Sequence, residues 1–254
     1  MTVLTEQAAQ AAIVAAATTL ALPTVREQAG AIADAAARDQ LTHRGYLAEL
    51  LASEVDDRAE RRRIRRIREA HFPRLKHLNE FDTSITPIDG ATIATLTAGA
   101  FIDTGTPVVF LGDLGTGKTH LLIGVGLAAC ETGRSVRYTT AAALVNELVE
   151  AQDEHTLTRL IGRYGRLDLL LIDELGYLHL DPRGAELLFQ VITEREERAS
   201  IAVATNAPFP EWGNTFTDHR LCAAIIDRLT FKAHIIETGT DSYRPRTTKT
   251  GTPK

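Results

Sequence analysis

Three short strings in this 254-residue chain hold residue types whose spacing suits chemistry. The first, Gly112-Asp113-Leu114-Gly115-Thr116-Gly117-Lys118-Thr119, matches G-x-x-x-x-G-K-[ST] in full. Its three glycines let the backbone wrap with N–H groups turned inward. A helix opening at Lys118 would add the partial positive charge of its N-terminus. Such a loop suits a triphosphate, cradled by the run from Gly112 through Thr119 to His120. Lys118 would reach the β- and γ-phosphates, and the Thr119 hydroxyl would ligate Mg²⁺. Asp113 is an acid inside a loop built for anions, so its side chain is expected to point away from them. The second string, Leu169-Leu170-Leu171-Ile172-Asp173-Glu174, sets two carboxylates after four apolar residues. That order describes a buried strand whose C-terminal end meets a ligand crevice. Asp173 would hold Mg²⁺ directly or through water, and Glu174 would orient and activate a water molecule. The third, Ala202-Val203-Ala204-Thr205-Asn206, is another apolar strand with a polar end. In a parallel sheet it places Asn206 between the other two motifs, where its amide orients the attacking water or touches the γ-phosphate. A turn-forming Asn ahead of Pro208 is the other reading.

These side chains need elements to hold them. Residues 107–111, 135–138, 168–172, 200–204 and 233–237 read as strands. Helices are expected over 118–131, over 140–152 opening at Thr140, over 154–164, and from Asp181-Pro182 to about Arg198. Continuous apolar strands separated by helices describe an α/β protein whose parallel sheet is covered on both faces. Residues 79–106 begin as a linker with Pro87 and Gly90 and then carry one helix at about 91–102. Before residue 78 the pattern is helical throughout. One helix starts at Pro23, and a short apolar stripe runs over Tyr46, Leu47, Leu50 and Leu51. A segment follows that is acidic at its start and basic afterwards, as the helix dipole favours, with Pro73 ending or kinking it. The chain therefore divides into a small all-α N-terminal domain, 1–78, and an α/β domain, 79–254.

Composition narrows the function classes. With 44% hydrophobic residues the chain can bury a core, and a net charge of −5 excludes a uniformly basic nucleic-acid coat. It leaves room for a local basic face: Arg58, Arg61, Arg62, Arg63, Arg65, Arg66 and Arg68 spread around one helix. That face either contacts phosphates or is solvated and neutralised by Glu54, Asp56, Asp57, Glu60 and Glu69. Cys130 and Cys222 lie far apart with no CxxC, which argues against a disulfide framework or a zinc site. The apolar run Ala11 to Ala17 lacks a positively charged flank and is too short to cross a bilayer, so the reading is cytoplasmic, with no membrane partner.

Taken together, strand–GDLGTGKT–helix, LLLIDE and ATN resemble the core of AAA+ ATPases. Downstream, DELGYLHLDPRGAELLFQVITEREERAS, TNAPFPEWGNTF, AAIIDRL and DSYRPR look like the IstB-type ATP-binding proteins of insertion sequences, relatives of the DnaC helicase loaders and DnaA initiators. The likeness covers roughly residues 79–246. It implies a P-loop AAA+ core with a parallel five-stranded sheet flanked by helices, and an ATPase using ATP and Mg²⁺. It also implies a homo-oligomer on duplex DNA that assists an IstA-type transposase or, alternatively, a replicative helicase. Arg228 aligns with the arginine finger that reaches a neighbouring subunit's ATP; read locally, it is a helix arginine paired with Asp227 or a nearby acid. Arg244 matches a closing SYR motif, and either approaches the nucleotide or braces the C-terminus. Phe81 matches a position that packs on adenine, or is a buried linker residue. The resemblance turns the basic helix towards DNA or transposase contact, with Arg61, Arg62, Arg65, Arg66 and Arg68 as the phosphate contacts. Two departures stand out: GDLGTGKT where GPPGTGKT is common, and Glu196 where an aromatic is usual. Outside this family, a P-loop small-molecule kinase or a nucleotide-gated scaffold would share the loop.

Overall fold

Three helices open the chain: α1 (Glu6–Thr19), α2 (Pro23–Arg38) and α3 (His43–Glu69). The computed structural model describes residues 5–176 and 179–240. The first unit, up to Arg65, closes around Ala17, Val25, Ala29 and Leu50. Pro23 pre-sets the first turn of α2, but Leu22 before it has no side chain with which to cap the helix. Glu54 of α3 supplies the missing acceptor. Its Oε2 accepts from the N–H of Thr24 at 2.8 Å and of Val25 at 3.3 Å, while Arg58 and Arg61 pair with Oε1 at 3.1 and 3.3 Å. Burial works against the Glu54 charge, yet the N–H groups of Val25 and Thr24 and the Arg58 guanidinium together hold the carboxyl below its ordinary range. α3 is one continuous helix of 27 residues, joining the apolar stripe to the arginine run. It ends before Pro73.

The second unit begins at Arg66, not near residue 78 as composition indicated. The reason is packing. Ala70 is fully buried and its carbonyl accepts from the Tyr138 N–H at 2.8 Å. The Phe72 ring tilts against Tyr138 at 6.4 Å, and Leu78 lies so close to Gly124 that a Cβ there would meet it at 2.7 Å. These residues belong to the α/β core.

That core is built on β1 (Val108–Leu111), β2 (Val136–Thr140), β3 (Leu169–Asp173), β4 (Ser200–Thr205) and β5 (His234–Glu237). All pairs are parallel, in the order β2-β3-β4-β1-β5. β3 is buried along its length and sends Leu169 and Leu171 to one face, Leu170 and Ile172 to the other. The first face is covered by α4 (Gly90–Ala98), α5 (Ala100–Asp103) and α6 (Lys118–Glu131). The second is covered by α7 (Ala141–Asp153), α8 (Leu157–Gly165), α9 (Pro182–Arg195) and α10 (His219–Thr230). Side chains start the second set as expected: Thr140 Oγ1 accepts from the Ala143 N–H, and the Asp181 carboxylate from the Gly184 N–H.

Three helix boundaries differ from expectation, among them the start of α8 at Leu157 in place of 154. The single helix at 91–102 is broken in two by Gly99, which takes φ 69°. α9 stops at Arg195, and Glu197 beyond it sits at φ 56°. Cys130 and Cys222 are both buried free thiols. Among the described residues, no helix is long and apolar enough to cross a membrane.

Candidate nucleotide-binding site

β1 delivers the chain to the glycine loop, and α6 leaves it with Lys118 in its first turn. Gly115 and Gly117 take φ 84° and 95°, the left-handed region that turns successive N–H groups inward. The back of the loop is pinned to the residues after β5. Thr116 Oγ1 lies 2.5 Å from Thr238 Oγ1, and the Asp113 N–H donates to the Gly239 carbonyl at 3.2 Å. A Cβ on Gly112 would sit 2.3 Å from Thr238 Oγ1, so only glycine fits. Lys118 Nζ donates to the carbonyls of Gly112 and Asp113 at 2.7 and 2.6 Å, which holds the ammonium inside the loop.

Asp173 closes β3, almost fully buried. Its Oδ2 accepts from the Tyr138 hydroxyl at 2.8 Å and its Oδ1 from the Glu174 N–H at 2.9 Å. The carboxylate in turn discourages ionisation of Tyr138, adding to burial in pushing that phenol above its ordinary range. Glu174 has φ 60°, rare for a residue with a side chain, and is exposed. Asn206 follows β4, which lies between β1 and β3, and its Oδ1 is buried with no hydrogen-bond partner among the described residues.

These groups converge. A cavity of about 430 Å³ at the C-terminal ends of the strands is lined by Leu114, Gly115, Gly117, Lys118, Thr119, His120, Asp173, Glu174 and Asn206. Gly112, Asp113 and Thr116 are not on its wall; they form the back of the loop, and Asp113 is exposed outside it. The other wall comes from residues that sequence reasoning gave to the linker or the N-terminal domain: Arg74, Lys76, Glu80 and Phe81. Phe81 is buried, lies edge-on to His120 at 5.5 Å, and would meet a Cβ on Gly117 at 2.6 Å. Burial lowers the His120 pKa, although the His77 carbonyl, 2.9 Å from Nε2, opposes the shift. Nothing in the local sequence marks Arg74 or Thr238, whose roles exist only once the chain has closed on itself.

Arg228 is not in this cavity. It lines a second one, of about 310 Å³, with Thr106 and Pro107 before β1 and Ala199 before β4, at the opposite end of the sheet. Its guanidinium sits 4.6 Å from the Phe189 ring centre, donates to the Ala224 carbonyl at 3.2 Å, and pairs through Nε with Glu196 at 2.9 Å. The acid beside it is therefore Glu196, not Asp227. Arg244 lies outside the described residues. Of the α3 arginines, Arg61, Arg62, Arg65 and Arg68 are all exposed, Arg61 also bonding to Glu54 and Thr24, and Arg66 lies beside Gly133.

A triphosphate with a hard cation fits these residues. The Thr119 hydroxyl and the Asp173 carboxylate are the oxygen donors that Mg²⁺ prefers, and among the described residues no cluster of His, Cys, Asp and Glu is set for a softer metal. Asn206 Oδ1 gives the cavity a buried acceptor with no partner among the described residues. A parallel sheet in this order, with a glycine loop after β1 and paired carboxylates after β3, defines an ATP-binding protein of the P-loop AAA+ class. Solved structures share the fold. DnaA from Aquifex aeolicus, bound to AMPPCP, superposes with a TM-score of 0.54 at 23% identity, over 67% of this chain and 51% of that one. DnaI does so with 0.53 at 18% identity, over 64% and 90%.

The chain belongs to the family of IstB-like ATP binding proteins, whose model matches residues 15–251. It is 36% identical to a protein named as ATP-binding in insertion sequence IS5376 of Geobacillus stearothermophilus, over 89% of this chain and 91% of that one. It is 34% identical to the corresponding protein of IS21 from Pseudomonas aeruginosa, over 82% and 79%.

Proposed function

We propose that this protein is an ATPase that assembles on duplex DNA in the ATP state and assists a transposase in choosing its target. The observation that carries the reading is the meeting of Lys118, Asp173, Glu174 and Asn206 in one cavity, although three separate strands deliver them. Phosphate oxygens would replace the Gly112 and Asp113 carbonyls around Lys118 Nζ, exchanging dipoles for charges. Thr119 and Asp173 would hold Mg²⁺, which neutralises charge on the β- and γ-phosphates when bound. Glu174 would accept a proton from the attacking water, with Asn206 Oδ1 orienting it. The position of Arg228 supports a site shared between copies: remote from its own loop, it would reach the γ-phosphate of a neighbour. Its relatives' place in insertion sequences supports a transposase as partner.

DNA engagement rests on Arg62, Arg65 and Arg68, exposed along the last turns of α3. Guanidiniums there bind backbone phosphates without reading sequence. Replacing all three by Gln should weaken duplex binding and lower the salt slope by about one for each phosphate no longer neutralised. The test of the whole reading is particle size measured with a non-hydrolysable ATP analogue and duplex DNA. The wild-type chain should form large assemblies only with both, and Lys118→Ala should form none. Assemblies that form equally well in Lys118→Ala would sink the proposal.

A further inference from the structure

We propose that Tyr138 is a positioning residue for Asp173, and that its hydroxyl sets the carboxylate in the orientation that a magnesium-bound triphosphate requires. The inference deepens the ATPase reading and rests on it. Asp173 stands at the end of β3 with its two oxygens engaged separately: Oδ2 takes the Tyr138 O–H at 2.8 Å and Oδ1 takes the Glu174 N–H at 2.9 Å. An aspartate's terminal torsion is otherwise broad and two-fold, so one donor on each oxygen removes the freedom that would blur a ligand position. Each oxygen keeps lone-pair capacity for a further partner.

Tyr138 reaches this place because β2 pairs with β3 in parallel register, Tyr138 opposite Leu171 and Thr140 opposite Asp173. Its ring is seated from the other side. The Tyr138 N–H donates to the Ala70 carbonyl at 2.8 Å, and the Phe72 ring lies 6.4 Å away, centre to centre. Tyr138 does not line the cavity, so any effect it has on the site runs through Asp173. A phenylalanine would fill the same seat and leave Asp173 Oδ2 without its donor. The hydroxyl is the part of this side chain that packing alone leaves unexplained.

The test compares wild type, Tyr138→Phe and Asp173→Ala by binding of a fluorescent ATP analogue with and without Mg²⁺, and by steady-state hydrolysis. Without Mg²⁺, Tyr138→Phe should bind within about twofold of wild type. The gain in affinity on adding Mg²⁺ should fall about tenfold, as for other outer-shell partners of metal ligands. The Mg²⁺ concentration for half-maximal hydrolysis should rise, and kcat should fall more than KM changes. A purely structural role would move the melting temperature and leave the Mg²⁺ response untouched. A wild-type Mg²⁺ response in Tyr138→Phe, beside a lost response in Asp173→Ala, overturns the role of Tyr138 alone. A wild-type response in both variants overturns the magnesium–ATP reading, and this proposal with it.

Discussion

Glu174 occupies a backbone conformation that costs a side-chain-bearing residue about 1–2 kcal/mol, at φ 60° directly after the buried end of β3. The geometry has a local return. In that turn the Glu174 N–H points back at Asp173 Oδ1, while the Glu174 side chain lines the cavity. One strained residue thus fixes one carboxylate and presents a second, as expected where strain is held in place by its surroundings. A general base contributes about 10²–10⁴-fold to rate. Glu174→Gln should therefore keep ATP affinity within about threefold and lower kcat by that factor, since the amide preserves shape but accepts no proton. Equilibrium binding and single-turnover hydrolysis measure the two quantities separately. A variant that hydrolyses ATP at the wild-type rate would remove Glu174 from the chemistry.

At the scale of elements, the start of α2 is stabilised by a residue of another helix. Glu54 holds the N–H groups of Thr24 and Val25, and its carboxyl lies below the ordinary value of 4.5 in the folded chain. A carboxyl lowered by folding contributes stability above its unfolded pKa and loses it as pH falls through the folded one. The first turn of α2 should therefore open progressively below about pH 4.5, reported by hydrogen exchange at the Thr24 and Val25 amides. Glu54→Gln should cost about 2 kcal/mol at neutral pH and abolish this acid-dependent opening, because two charge-assisted bonds are weakened together. An acid response that persists in Glu54→Gln assigns it elsewhere. This cap was not legible in the sequence, where Glu54 reads as one acid among several near the arginines. The strands were legible, because a parallel sheet covered on both faces needs unbroken apolar runs such as Leu169 to Ile172. The phosphate loop and Asp173-Glu174 were legible because their chemistry is contiguous in the chain. The unit boundary was not, because composition changes near residue 78 whereas packing changes where Ala70 enters the core. Tyr138 and Thr238 gave no signal either, since strand register and chain closure create their partners.

At the scale of the whole molecule, the α/β unit carries its candidate catalytic side chains at both ends of one sheet. Lys118, Asp173 and Glu174 stand at the C-terminal ends of the strands, and Arg228 beside residues that precede β1 and β4. A residue so placed has no route to its own nucleotide without unfolding α10, whose buried Ile225 and Leu229 anchor it to the core. If Arg228 serves hydrolysis, it serves a neighbour's. Within a single copy the guanidinium is occupied by Glu196 and the Phe189 face, so in that role it would have to exchange these contacts for phosphate charge. An arginine at that position is worth about 10³–10⁵ in rate, far more than an ion pair about one-third exposed contributes to stability. Arg228→Ala should therefore melt close to wild type and still bind ATP, yet hydrolyse it slowly at every protein concentration. Glu174→Gln should be slow as well, but for a reason that lies on the other side of the proposed subunit contact. Mixed, the two variants should recover part of the wild-type rate, because some contacts then join an intact Glu174 cavity to an intact Arg228. The recovered rate should peak near equal proportions and vanish on dilution below the assembly concentration. Absence of recovery at every ratio, with both variants folded and assembling, would place Arg228 outside the reaction and leave it as the structural partner of Glu196.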